Sequence, residues 1–235
     1  MPLRQISSKR MGDPKMDWKE SPSIPELHRI SRTLAALDVV MCRETPDICY
    51  YTFSPGVSPG VDLVRLDNGS GDYALGVFGP AGVIIKVFDH ESKISPYARK
   101  NQSPWPGIYD GVPDSLLAYL DLPDMEKDEV TLCTYRLPTG PWVVTQLKNP
   151  PRAGHDDGGS WLLTQFHDTP KEWISWAKDY YEAKFTLKDV AEVYTHGRIT
   201  PALAARLLKN VSCETPLDFQ EILPQLVSLD MASPQ

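Results

Sequence analysis

A chain of 235 residues, 41% hydrophobic and 23% charged, is long enough for one large domain or two small ones and apolar enough to bury a core. Its net charge of −7 is uneven: five Lys/Arg against two Asp in residues 1–19 leave −10 on the remainder, and an acidic body disfavours duplex nucleic acid as a ligand because phosphate contacts need a cationic face. No window approaches membrane-spanning length, and no apolar run of secretory type follows the basic start, so a cytoplasmic protein without membrane contact is expected.

Residues 1–22 read as a flexible basic tail, polar and without periodicity. Order is expected from Ser23, where Ser23-Ile24-Pro25-Glu26 fits a capping box. Ile24, Leu27, Ile30, Leu34, Leu37 and Met41 then recur at helical spacing, predicting an amphipathic helix over 24–42. Ile48–Phe53 reads as a strand, and the doubled Ser54-Pro55-Gly56-Val57 and Ser58-Pro59-Gly60-Val61 as a loop. Further strands are expected at 61–67, 73–79 and 82–89, separated by Asn68-Gly69 and Gly79-Pro80-Ala81-Gly82, which are turn chemistry at hairpin spacing.

Residues 96–113 are predicted to be irregular, and a short helix to open at Asp114 or Ser115. Residues 129–137 and 142–148 alternate around Pro138-Thr139-Gly140-Pro141 as a hairpin, and 160–166 reads as one more strand. The period then changes. Thr169-Pro170, Thr200-Pro201 and Thr215-Pro216 each pair an N-cap with proline in the first turn, and Thr186 resembles a further helix start. Strands followed by helices indicate α+β: a mainly antiparallel sheet of five to seven strands, an N-terminal helix and a C-terminal run of short helices, in a single domain over 23–230. The 22 prolines, spread along the chain, agree with many short elements and fixed turns.

The apolar run Val83–Phe88 stops abruptly on Asp89-His90-Glu91-Ser92. A histidine beside carboxylates suits acid–base chemistry or metal ligation. Were the strand to continue, Asp89 and Glu91 would share a face and His90 would point away, so a metal would need His155, His167 or His196 from elsewhere. The competing reading is a capped strand end. In either case the segment is expected to be mostly buried, with its carboxylates held by backbone amides or by a cation of the next loop, such as Arg99.

Asn68-Gly69-Ser70-Gly71-Asp72 is a hairpin connection or an anion-binding nest. Trp105 and Tyr109, with Trp142, wall a ligand or partner surface, or pin a long loop to the core. His155-Asp156-Asp157-Gly158-Gly159 lacks calcium-loop spacing and reads as solvated loop. Cys42, Cys49, Cys133 and Cys213 form no C-x-x-C and fit no zinc-finger spacing, so reduced, buried thiols are expected. No metal or cofactor motif is present, nor a G-x-S-x-G or H-E-x-x-H kernel.

The blocks Asn68-Gly69-Ser70-Gly71-Asp72, Phe88-Asp89-His90-Glu91-Ser92, Ser95-Pro96, Trp105-Pro106-Gly107 and Gly111-Val112-Pro113 together resemble a family of uncharacterised, mostly bacterial proteins, over about residues 24–210. That resemblance transfers no catalytic residue, because the family carries no assigned activity. The segment Pro113–Tyr119 is similar to SUKH-type immunity proteins, which neutralise bacterial toxins. The expectation is a cytosolic, non-enzymatic binding protein, immunity-like, whose acidic body suits a basic protein partner. The alternative is a small-molecule enzyme of a biosynthetic pathway with its polar centre at Asp89, His90 and Glu91.

Overall fold

The computed structural model describes residues 22–150 and 156–233; most of the expected basic tail, and His155, lie outside them. The fold is α+β, with an N-terminal helix, an open antiparallel sheet of six strands and a C-terminal run of short helices. The strands are β1 (Tyr51–Ser58), β2 (Val61–Asp67), β3 (Tyr73–Gly79), β4 (Gly82–Phe88), β5 (Leu132–Arg136) and β6 (Trp142–Val144), and their order in the sheet is their order in sequence. Contacts group the chain into two compact units. One contains Pro22–Leu66, Gly76–Pro80 and the chain from Phe166 onwards; the other contains Asp67–Leu75 and Ala81–Gln165.

In the first unit, helix α1 (Ile24–Met41) begins as its sequence requires. The Ser23 hydroxyl accepts from the Glu26 amide, and the Glu26 carboxylate accepts from the Ser23 amide at 2.8 Å. Leu27, Ile30, Leu34, Leu37 and Met41 are buried along one stripe that packs on β1. Each such side chain contributes roughly 1.5–3 kcal/mol by leaving water. Helices α3 (Pro170–Tyr180), α4 (Leu187–His196) and α5 (Pro201–Leu207) start at the three threonine caps predicted for them.

The fourth such signal fails. Helix α6 (Phe219–Ser228) is capped by Asp218, not Thr215. The Thr215 amide and hydroxyl both donate to Glu44, at 2.7 and 2.6 Å, so neither is left for a helix start. The same hydroxyl, with the amides of Glu214 and Thr215, holds the Glu44 carboxyl down at about 2.

Two expectations about β1 also change. Pro46–Ile48 forms a 3₁₀ turn, so the strand begins at Tyr51; and it runs on through Ser54-Pro55-Gly56-Val57, which was expected as loop. β1 is an edge strand, where proline's missing donor leaves no ladder bond broken. Gly56, at φ +65, takes up the register shift between Ser54 and Ser58, and its amide donates to Asp62 at 2.8 Å.

In the second unit β4 pairs with β5 in the register Val83↔Arg136 to Val87↔Leu132, and β5 with β6 through Arg136↔Trp142. The hairpin strands are shorter than expected. Helix α2 (Asp114–Leu117) sits where predicted and packs on β4. Ser160–Gln165, expected as a strand, is a 3₁₀ helix. Asp157 accepts from the amides of Gly159 and Ser160 and from the Ser160 hydroxyl, which winds the chain before the apolar run starts. A short apolar run has no period of its own strong enough to resist this.

Candidate functional site

β4 ends at Phe88, and the next four residues turn instead of continuing the strand. The Ser92 amide donates to the Asp89 carbonyl at 3.2 Å, and the Glu91 amide donates to Asp89 Oδ1 at 3.0 Å. The Asp89 amide donates to Thr131 Oγ1, whose hydroxyl donates in turn to the Gly158 carbonyl at 2.7 Å. Gly159, at φ +86, lies so close that a Cβ there would come within 2.8 Å of Asp89 Cβ. Asp89 is thereby enclosed, at 6% exposure. Ser92 is buried too, its hydroxyl donating to Asp156, while His90 and Glu91 are exposed. Half of the segment is therefore buried, rather than most of it.

The turn also reverses the expected facing. His90 joins Asp89, and both meet Asp72 from the turn between β2 and β3. The His90 amide donates to Asp72 Oδ1 at 2.9 Å, and His90 Nδ1 lies 2.6 Å from the same oxygen. Asp72 Oδ2 accepts from Asn68 Nδ2 at 2.8 Å. Donor atoms of Asp72, Asp89 and His90 all lie within 4.8 Å of one another. Arg99, proposed as the carboxylates' partner, instead donates to the carbonyls of Ser103 and Pro104 and lies over the Trp105 ring at 5.1 Å. His167 and His196 belong to the helical unit: His167 is packed against Tyr51 and Trp176, and His196 closes α4.

The Asn68–Asp72 turn is a hairpin connection. Its amides are spent on its own side chains: Gly69 on Asp67, and Ser70 and Asp72 on Asn68. That leaves no inward-facing set of N–H groups for an anion.

The sequence places Asp72 in the Asn68–Asp72 turn and not beside His90, although a signal for that pairing exists. A two-residue turn at Pro80-Ala81 sets Gly79 opposite Gly82, which counts back to Tyr73 opposite Phe88 and Asp72 opposite Asp89. The Tyr73 and Phe88 rings do meet, with centroids 5.4 Å apart.

The loop aromatics have their polar atoms on backbone. Trp105 Nε1 donates to the Lys148 carbonyl at 2.9 Å, and the Tyr109 hydroxyl to the Lys127 carbonyl at 2.6 Å. Both are half-buried, and Trp142 is buried on β6. Among the described residues of this unit Tyr97 is exposed, at 56%.

Two buried polar centres went unforeseen. Lys86, at 0% exposure on β4, donates to the Tyr73 hydroxyl at 3.1 Å and to the carbonyls of Glu126 and Glu129 at 2.8 Å each. Tyr73 donates to Glu129 at 2.8 Å, and burial pushes its own ionisation well up. In the helical unit Asp38 accepts from the Tyr51 amide at 2.7 Å and the Tyr181 hydroxyl at 2.5 Å. Burial lifts its carboxyl to about 7. The thiols of Cys42 and Cys49 stand beside it, and their mutual hydrogen bond and burial keep Cys42 protonated.

A cleft of about 170 Å³ in the helical unit is lined by Lys184, Thr186, Asp189, Arg206 and Lys209, with none of the predicted site residues. Arg206 is engaged by Asp189 at 2.6 Å and Glu192 at 2.5 Å. Among the described residues no helix is long and apolar enough to cross a membrane.

Fold and site together define an α+β protein with a carboxylate–histidine cluster at the end of its fourth strand. No family model matches the chain, and no curated protein or solved structure matches it either.

Proposed function

We propose that this protein acts by association, binding a basic protein partner through an acidic band on residues 110–129. The band holds Asp110, Asp114, Asp121, Asp124, Glu126, Asp128 and Glu129 against a single Lys127, and the first six of these acids are exposed. Lys127 pairs with Asp121 and Lys148 with Asp110, which leaves the band negative.

The observation that carries this reading is the placement of Tyr97. Its ring is exposed yet seated edge-on against Phe88 at 5.8 Å, and its hydroxyl donates to Glu129. A fixed, exposed aromatic beside carboxylates suits a recognition surface: the ring loses little entropy on burial, while the charges steer a cationic partner and set its register. An immunity-like role, neutralising a basic toxin in the cytoplasm, is the form of this reading that the sequence resemblance suggests.

The test is affinity capture from the native lysate with wild-type protein, Tyr97→Ala, and a triple variant Asp121→Lys, Asp124→Asn, Asp128→Lys. Asparagine is chosen at 124 because that residue has φ +62, where asparagine is tolerated. The expected result is a basic protein retained by wild type at low salt, released by high salt, and lost with both variants. Capture that is the same for all three, or no captured protein at all, overturns the proposal.

The enzyme reading draws on a different observation, the convergence of two buried carboxylates on one exposed imidazole. Its polar centre would be Asp72, Asp89 and His90 rather than Asp89, His90 and Glu91.

A further inference from the structure

We propose that Asp72, Asp89 and His90 form a binding site for a divalent transition-metal cation of the Mn²⁺ or Zn²⁺ class. No metal motif in the sequence points to it, and it is independent of the acidic-band reading.

The donor atoms already converge: one from each residue lies within 4.8 Å of the other two. Ligand bonds of about 2.0–2.2 Å set neighbouring donors of one ion roughly 3–3.6 Å apart. An edge longer than that must close by up to about 1–2 Å as the ion enters. The His90 Nδ1–Asp72 Oδ1 edge, now 2.6 Å, must open to about 3 Å, the spacing of adjacent ligands at those bond lengths.

The charges fit as well. Among the described residues the ionisable partner of Asp72 is His90 alone, and the Asp72 carboxylate is largely buried. Two carboxylates and one imidazole on this edge offer the donor types that a divalent cation takes, and none that an anion takes. Two oxygens and one imidazole nitrogen suit a borderline ion, and the missing thiolate disfavours the softest ones. His90, with 43% of its side chain exposed, leaves the site open to solvent, so water can fill the remaining positions.

The groups behind the ligands are already arranged. Asn68 Nδ2 holds Asp72 Oδ2, the Glu91 amide holds Asp89 Oδ1, and the Gly159 backbone closes against Asp89. Hydrogen bonds of this kind orient ligating carboxylates and raise affinity.

The test uses the full chain without a histidine tag, stripped with a chelator and titrated with Mn²⁺. Binding is followed by the loss of the free-ion paramagnetic resonance signal. Mn²⁺ is the probe because thiols compete poorly for it, which keeps the Asp38–Cys42–Cys49 group silent. One equivalent should bind, and affinity should fall at least tenfold in Asp72→Asn and in His90→Ala. His90→Ala, at an exposed position, is the variant whose folding is safest. Asn68→Ala, which touches only the supporting bond, should lose about tenfold. Binding unchanged in His90→Ala, or no binding beyond that of scattered surface carboxylates, would show the cluster to be an ordinary Asp–His hydrogen bond and overturn the proposal.

Discussion

Asp72 and His90 are joined twice through one oxygen: the His90 amide reaches Asp72 Oδ1 at 2.9 Å and the His90 ring reaches it at 2.6 Å. The backbone bond fixes where the side chain starts and the ring bond fixes its rotamer. A buried carboxylate thus orders the imidazole of an exposed residue, leaving the outer side of the ring available to solvent or a ligand.

The two carboxylates of the turn should behave differently. Asp89→Ala removes a buried acceptor of the Glu91 amide and is expected to cost about 1–3 kcal/mol. Glu91→Ala, at an exposed position, should stay within about 0.5 kcal/mol. Thermal melts of both variants decide this, and equal midpoints would mean that Asp89 is solvated.

Lys86 should be among the costliest single positions in the sheet. Lys86→Met takes a charged donor from the carbonyls of Glu126 and Glu129 and from the Tyr73 hydroxyl, a loss of about 3 kcal/mol or more. Urea denaturation measures the total. Hydrogen exchange should show amides around 126–131 opening first, because that stretch loses its anchor.

Asp38 and His167 predict opposed pH dependences. Burial lifts Asp38 from 3.8 to about 7, so within that window the folded chain keeps a proton that the unfolded chain has lost. Its contribution is full below 3.8 and is lost as pH rises through about 7. Burial lowers His167 from 6.5 to about 4, so there the unfolded chain holds the extra proton. That contribution is present above 6.5 and lost as pH falls through about 4. The two slopes oppose each other between pH 4 and 6.5. Asp38→Asn should therefore expose a loss of stability from pH 6.5 down to 4, and His167→Gln a loss from pH 4 up to 7, each at up to about 1.4 kcal/mol per pH unit. Denaturation series at several pH values test both; variants that keep the wild-type profile would show that neither group titrates differently on unfolding.

Gly159 tests the enclosure of Asp89. Gly159→Ala combines φ +86 with a Cβ 2.8 Å from Asp89 Cβ, and should cost about 1–3 kcal/mol. Gly69→Ala, at φ +68 with open space around it, should cost only the backbone term of about 1 kcal/mol. The difference between their melting midpoints isolates the steric contact.

The sequence by itself determined those features whose chemistry closes within a few residues. The Ser23–Glu26 capping box, the stripe from Leu27 to Met41, the starts at Thr169, Thr186 and Thr200, the strands at 61–67 and 73–79 and the start of the strand at Gly82 all depend on local caps or on a period. Tertiary structure decided wherever a distant partner outbid the local signal. Thr215 carries a good cap signal but gives its hydrogen bonds to Glu44. Pro55 reads as a loop residue but is tolerated on an edge strand. Trp161-Leu162-Leu163 reads as strand but is wound by Asp157.

The polar centre shows the same division. The block Asp89–Ser92 was visible as a sharp boundary after an apolar run, but its geometry depends on the strand ending one residue early and on Asp72, which enters through hairpin register. Lys86 and Asp38 were invisible in prospect. A charged residue inside an apolar run reveals nothing of its partners until the chain returns to supply them: Glu126 and Glu129 for the one, Tyr51 and Tyr181 for the other.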